Sequence, residues 1–227
     1  MSVRRLAKEQ PDSFVFNKKS EGLIKFWLAK YPDAKKASAL IPMLWIAQKQ
    51  EGWVCEPALR DIAARLEMPY IRVYEVVTFY TMFNLAPVGT HLLSVCGTTP
   101  CMLRGSGDLI KVCKNRIGEP GEISKDGKFS WVEVECMGAC ANAPMMQVAN
   151  GDGDHYVEDL DAAKLEKFMD DLAAGKKVEY GPQSERHASE PHGSKVLTDK
   201  SLFDGSKAKK IKLPNTKPKA KKAGAKS

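Results

Sequence analysis

The sequence predicts an α+β protein in which a helical segment precedes a small layer of strands and helices, with a basic tail behind. Three observations carry this reading. Apolar residues recur at helical spacing through residues 22–84. Short strand-like runs and helices, punctuated by turn residues, follow from residue 91 to 175. Beyond Gly181 apolar residues become rare, and Lys, Pro, Ser and Gly dominate, so the segment has too little surface to bury to offset its ordering entropy. The 227 residues, 43% hydrophobic and 28% charged, suffice for one or two domains with buried cores. The boundaries are read as an extended arm at 1–20, a helical domain at 21–86, a strand-and-helix domain at 87–180 and the tail at 181–227.

Leu23, Phe26 and Trp27 stand at i, i+3, i+4 and form the expected inner face of a first helix. Leu40, Leu44 and Ala47 continue that spacing in a second, which Gly52 ends and which Pro42 either starts or bends. Pro57 opens a third, with Leu59, Ile62, Ala63 and Leu66 on one face, and Pro69 opens a fourth over residues 70–83. The fourth carries Val73, Tyr74, Val77, Tyr80 and Phe83 as a packing stripe. Pro87 and Gly89 mark the boundary between the two domains.

Residues 92–95 read as a strand, and residues 105–115 as a helix with Leu109, Val112 and Cys113 inward. Residues 129–135 alternate, with the valines Val132 and Val134 as the expected buried face. Residues 145–149 and 155–157 bracket an Asn-Gly-Asp-Gly-Asp turn and read as a hairpin. Asp161 caps a last helix that buries Leu165, Phe168, Met169 and Leu172 and stops at Gly175. Together these make a small α/β sandwich.

The net charge of +7 belongs to the tail. Residues 181–227 hold twelve of the 35 basic and four of the 28 acidic residues, a net of +8, which leaves residues 1–180 at −1. A nucleic-acid surface needs its basic residues on the folded part, so that function class is excluded. The longest apolar run is far below the roughly 20 residues of a spanning helix, and the first residues carry no export pattern. The expectation is a chain in a reducing compartment, where six cysteines point to metal or redox chemistry rather than disulfides. The tail lysines Lys207, Lys209, Lys210 and Lys212 are expected to serve as an assembly arm against acidic surface, or as a solvated tail.

The chemistry lies in two cysteine pairs. Cys96 and Cys101 are separated by four residues, Cys136 and Cys140 by three, and each pair follows a predicted strand. Both pairs are expected in loops at strand ends, where adjacent strands bring four sulfurs together. Four thiolates suit a [2Fe–2S] cluster, in which each iron takes two cysteines. Such a cluster carries a charge of about −2, or −3 after one-electron reduction, and needs nearby donors. Gly97, Thr98, Thr99, Gly138 and Ala139 are small enough to let backbone N–H groups reach sulfur.

Three other readings stand beside this one. Structural zinc is the first, although zinc ribbons favour a two-residue gap. A dithiol oxidoreductase needs C-x-x-C, and disulfides need export. Cys113 falls on an inner helical stripe and Cys55 in a turn, so neither is counted as a ligand. Asn150–Asp154 lacks the glycine and closing glutamate of a calcium loop. The histidines His91, His155, His187 and His192 are scattered, and no glycine-rich dinucleotide fingerprint occurs.

The stretches SVCGTTPCMLRGS and VECMGACANAPMMQV resemble the two cluster-binding loops of the NuoE-type peripheral subunit of respiratory complex I, the NADH:quinone oxidoreductase. IPMLWIAQKQEGW and RVYEVVTFYTMFN resemble that family's N-terminal helical domain, and the match covers roughly residues 15–180. The resemblance implies a helical bundle followed by a thioredoxin-like [2Fe–2S] ferredoxin domain. It implies one low-potential [2Fe–2S] cluster on Cys96, Cys101, Cys136 and Cys140. It also implies a flavin-binding, NADH-oxidising partner subunit, further peripheral-arm subunits, and a place on the cytoplasmic side of a bacterial inner membrane, or the matrix side of a mitochondrial one. The chain itself is then expected to carry electrons without a site for NADH or flavin. Equivalent subunits of NAD-linked hydrogenases and formate dehydrogenases are an alternative home, and a zinc-stabilised adaptor or a stand-alone ferredoxin are alternatives of another class.

Overall fold

The computed structural model describes residues 4–187, and its first part is helical. The side-chain oxygen of Asn17 accepts the Ser20 amide at 2.9 Å and so caps α1 (Lys18–Leu28). A 3-10 stretch (Asp33–Ala39) runs into α2 (Leu40–Glu51), so Pro42 sits in the first turn, where its missing N–H breaks no helical bond. Gly52 ends α2, its amide on Gln48 O at 2.7 Å. α3 (Glu56–Arg65) carries Pro57 in its first turn, and α4 (Tyr70–Phe79) follows Pro69. Ile24, Leu44, Leu59, Ile62, Val77 and Phe83 belong to one buried core.

Two expectations need correction here. α4 ends at Phe79 rather than Phe83, because Tyr80 turns extended. Arg4, from the N-terminal arm, binds carbonyls at the helix end and just beyond it. Its guanidinium donates to Thr78 O at 3.2 Å, to Tyr80 O at 2.8 Å and to Phe83 O. On α1, Leu23 and Phe26 are exposed, while Ile24 is buried and Trp27 packs against the core. Gln50 on α2 sets that rotation. Its Oε1 accepts from Asn17 N at 3.0 Å and from Ser20 Oγ at 2.9 Å, and its Nε2 donates to Val15 O at 2.9 Å. With Ser20 pinned to α2, the residue four positions on, Ile24, faces the same way.

The chain enters the second part at Gly89. A Cβ there would lie 2.6 Å from the Phe129 backbone, so no larger residue fits. The elements are β1 (His91–Cys96), α5 (Thr99–Leu103), α6 (Ser106–Arg116), β2 (Phe129–Val134), a 3-10 turn (Cys140–Asn142), β3 (Met146–Asn150), β4 (Gly153–Glu158), α7 (Ala162–Ala173) and β5 (Gly181–Pro182). They form one sheet in the order β2-β1-β3-β4-β5. β1 and β2 are parallel and need the crossover that α6 supplies, whereas β3 and β4 are antiparallel and close with a two-residue turn. Asp161 caps α7 as expected, accepting the Lys164 amide at 2.8 Å. Leu109 and Cys113 of α6 share a core with Leu93, Trp131, Val148 and Leu165.

The buried face of β2 is the opposite of the one expected. Phe129 and Trp131 are buried, and Val132 and Val134 are half-buried. Register explains the choice: Trp131 stands beside Leu93 of β1 and so points with it into the core. Its one polar atom is satisfied there, since Nε1–H donates to Gly118 O at 2.9 Å, just past α6.

Residues 181–187, at the head of the segment read as a tail, begin as a strand parallel to β4. The rest of that segment, with Lys207, Lys209, Lys210 and Lys212, lies outside the described residues. Among the described residues no helix is long and apolar enough to cross a membrane.

Candidate metal centre

Parallel strands β1 and β2 end at the same edge of the sheet, and the cysteine pairs stand there. Cys96 is the last residue of β1, level with Val134, and Cys136 lies two residues beyond that level. Cys96 is held by its amide on Met145 O at 3.3 Å. Cys101 is not in a loop, as the spacing suggested, but on the short helix α5, where Pro100 occupies the first turn. Cys140 opens the 3-10 turn. Cys96 and Cys101 are buried together with Ala139, Ala143 and Met145, while Cys136 and Cys140 face outward.

The structure brings the two pairs into one group. Cys136 Sγ lies 3.3 Å from Cys140 Sγ, and Cys96 and Cys101 belong to one buried cluster. The Thr98 hydroxyl lies 3.2 Å from Cys96 Sγ. Cys140 interacts electrostatically with Cys96 as well as Cys136, and Cys101 with Cys140. Backbone donors also reach sulfur. Gly138, at φ +89°, points its amide at Cys136 Sγ at 3.4 Å, and Met145 donates to Cys101. The Gly138 amide is the main cause that lowers the Cys136 pKa, whereas burial pushes Cys101 up to about 11. The bond to Cys136 is the main cause that raises Cys140.

These residues fit a two-iron cluster. They offer free thiols in two pairs on adjoining segments, with amide and hydroxyl donors already directed at sulfur. Among the described residues, no three or more His, Cys, Asp or Glu side chains surround a single-ion position.

The other two cysteines sit elsewhere. Cys55 belongs to the helical core and Cys113 to the sheet core. Burial raises both thiols, Cys113 to about 12, so neither forms a thiolate near neutral pH. Asn150 to Asp154 is a hairpin turn, closed by Asp152 N on Asn150 Oδ1 at 2.9 Å. His155 stacks on Tyr180 with ring centres 3.9 Å apart, and His91 packs on Phe129. Sequence reasoning placed Thr98 among the small residues and gave no role to its hydroxyl. The position two residues after Cys96 was the available signal.

A family model described as thioredoxin-like [2Fe–2S] ferredoxin matches residues 24–173. The chain is 49% identical over 199 residues to an E-type subunit of the NADH-quinone oxidoreductase of Rhizobium meliloti (strain 1021), covering 85% of this chain and 71% of that protein. It is 50% identical over 162 residues to the E-type subunit of the NADH-quinone oxidoreductase of Rickettsia bellii (strain RML369-C), covering 70% of this chain and 95% of that one. Among solved structures, a chain of an NAD+-reducing [NiFe]-hydrogenase in the air-oxidized state aligns with a TM-score of 0.51 and 19% identity. That alignment covers 60% of this chain and 23% of the hydrogenase chain, and it speaks to the fold alone.

Proposed function

Because the chain belongs to the thioredoxin-like [2Fe–2S] ferredoxin family, we propose that Cys96, Cys101, Cys136 and Cys140 are the four ligands of its single cluster. The chain is an iron–sulfur electron-transfer subunit of an NADH:quinone oxidoreductase, and it works inside a multisubunit complex. The observation that carries the ligand assignment is the register of parallel β1 and β2, which sets Cys96 level with Val134 and so puts the C-x4-C and C-x3-C segments at one end of the sheet.

Bound there, the cluster supplies a one-electron step between its oxidised and reduced forms. The chain's own residues provide the rest. Cys96 and Cys101, buried among Ala139, Ala143 and Met145, keep one side of the site dry. The Gly138 and Met145 amides and the Thr98 hydroxyl direct partial positive charge at sulfur and so favour the anionic group. The outward Cys136 and Cys140 leave the other side open to an electron partner. The finer reading is that this partner is a flavin-binding, NADH-oxidising subunit, and that the complex presents this chain on the cytoplasmic side of a bacterial membrane, or the matrix side of a mitochondrial one. No glycine-rich nucleotide fingerprint occurs in the chain, which supports a flavin held elsewhere. Two cores, one helical and one around the sheet, support a helical domain followed by a sheet domain, with Phe16 of the N-terminal arm joining the helical core from outside the proposed limits of 21–86 and 87–180.

Alanine at each of the four positions tests the ligand set. Each replacement is expected to abolish the visible spectrum or make it strongly labile, while Cys55→Ser and Cys113→Ser keep it. Loss in Cys113→Ser with retention in Cys136→Ala would overturn the assignment.

A further inference from the structure

Cys140 opens a short, exposed turn with few backbone bonds of its own, and an element outside the turn binds it. Here the outside element is the chain's own residues 181–187. They leave β5, run beside β4 with Gln183 N on Glu158 O at 2.9 Å, and then reach the turn Cys140–Asn142. Arg186 is the point of contact. One arm of its guanidinium donates to Asp159 Oδ1 at 3.1 Å and the other to Ala141 O, the carbonyl next to Cys140. Asn142, the second residue after Cys140, donates from Nδ2 to Asp159 Oδ2 at 3.0 Å and to His187 O at 2.8 Å. Ser184 Oγ donates to the same Asp159 oxygen at 2.6 Å, and the Asp159 amide donates to Asn142 O at 2.8 Å.

Asp159 is therefore the hub. Its side chain is 6% exposed, and its backbone holds φ +54°, a conformation that a residue other than glycine adopts at a cost and that marks constrained sites. A buried carboxylate is unfavourable unless paired, and Arg186 pairs it.

We infer that residues 181–187 are a strap that fixes the Cys140 turn, and that Arg186 is a positioning residue for the cluster. It acts on two counts: its fork holds the Ala141 carbonyl, and its charge balances Asp159. The inference rests on the reading of Cys140 as a ligand. Without Arg186 the turn samples more than one geometry, and the unbalanced Asp159 carboxylate disfavours the added electron. A lysine keeps the charge but cannot hold both acceptors in a planar fork.

The test uses the full chain with its cluster, as parent, Arg186→Ala, Arg186→Lys and Arg116→Ala. The last breaks the ion pair to Asp170 between α6 and α7 and serves as a control for general loosening. Three readouts are taken: the g-values and line width of the reduced cluster, its midpoint potential, and the half-life of iron release to a chelator. Arg186→Ala is expected to broaden or shift the signal, lower the potential and release iron several-fold faster. Arg186→Lys should recover the potential but keep the faster release, and Arg116→Ala should match the parent. The strap has no positioning role if Arg186→Ala matches the parent in all three, or if it and Arg116→Ala lose iron equally fast with unchanged g-values. A parent chain that binds no [2Fe–2S] cluster would remove the ligand reading itself, and the strap's role with it.

Discussion

The Thr98 hydroxyl offers the sharpest handle on the cluster, because Thr98→Val removes it while keeping the side chain's shape. In the structure that oxygen lies 3.2 Å from Cys96 Sγ. With thiolates as acceptors, the hydroxyl can only donate. A hydrogen bond to a charged group contributes about 1.5–3 kcal/mol. That bond strengthens when the cluster gains a negative charge, and only this difference acts on the potential. Taking the difference as about 1 kcal/mol, and 59 mV per tenfold for a one-electron couple, the potential of Thr98→Val falls by about 40 mV. The sign follows from the loss of a donor that favours the more negative state. Thr98→Ser keeps the hydroxyl and should stay close to the parent. EPR-monitored redox titration reads both. A valine variant with the parent's potential, or a serine variant that shifts as far as valine, would refute the argument.

Perturbations elsewhere in the chain have outcomes of their own. Cys113→Ser puts a hydroxyl with a stronger need for a partner into the sheet core, so chemical denaturation should show about 1–3 kcal/mol of lost stability while the cluster spectrum survives. Arg4→Ala frees carbonyls at the end of α4 and should cost a similar amount, about 1–3 kcal/mol, read from the thermal or denaturant midpoint with the EPR signal unchanged. The purified chain without flavin should be reduced by dithionite and not by NADH. Rapid bleaching by NADH alone would contradict a flavin held by another subunit.

Much of this was legible in the sequence, for local reasons. The Asn-Gly-Asp-Gly turn, the Asp161 cap and the Gly52 stop each act within a few residues, so spacing finds them. The cysteine pairs were legible because each follows a strand, and parallel neighbours must end at one edge. Choices of face were not. Alternation in β2 defines two sides equally well, and only the register of Trp131 against Leu93 decides which is buried. The first helix failed in the same way, since its rotation is fixed by Gln50 on another helix. The strap was hidden by composition. Residues 181–187 are as polar in sequence as residues 188–227, and Arg186 meets Ala141 and Asp159 across 45 and 27 residues. A window that counts apolar residues cannot register one guanidinium with two distant acceptors.

The central claim is that these four cysteines hold one two-iron cluster. Iron and acid-labile sulfide analysis of the isolated chain, with EPR after dithionite reduction, tests it most directly. The account predicts about two irons and two sulfides per chain and a signal from a single unpaired spin that appears only on reduction. One zinc per chain, no sulfide and no signal in either state would contradict it, since Zn²⁺ is d¹⁰ and silent.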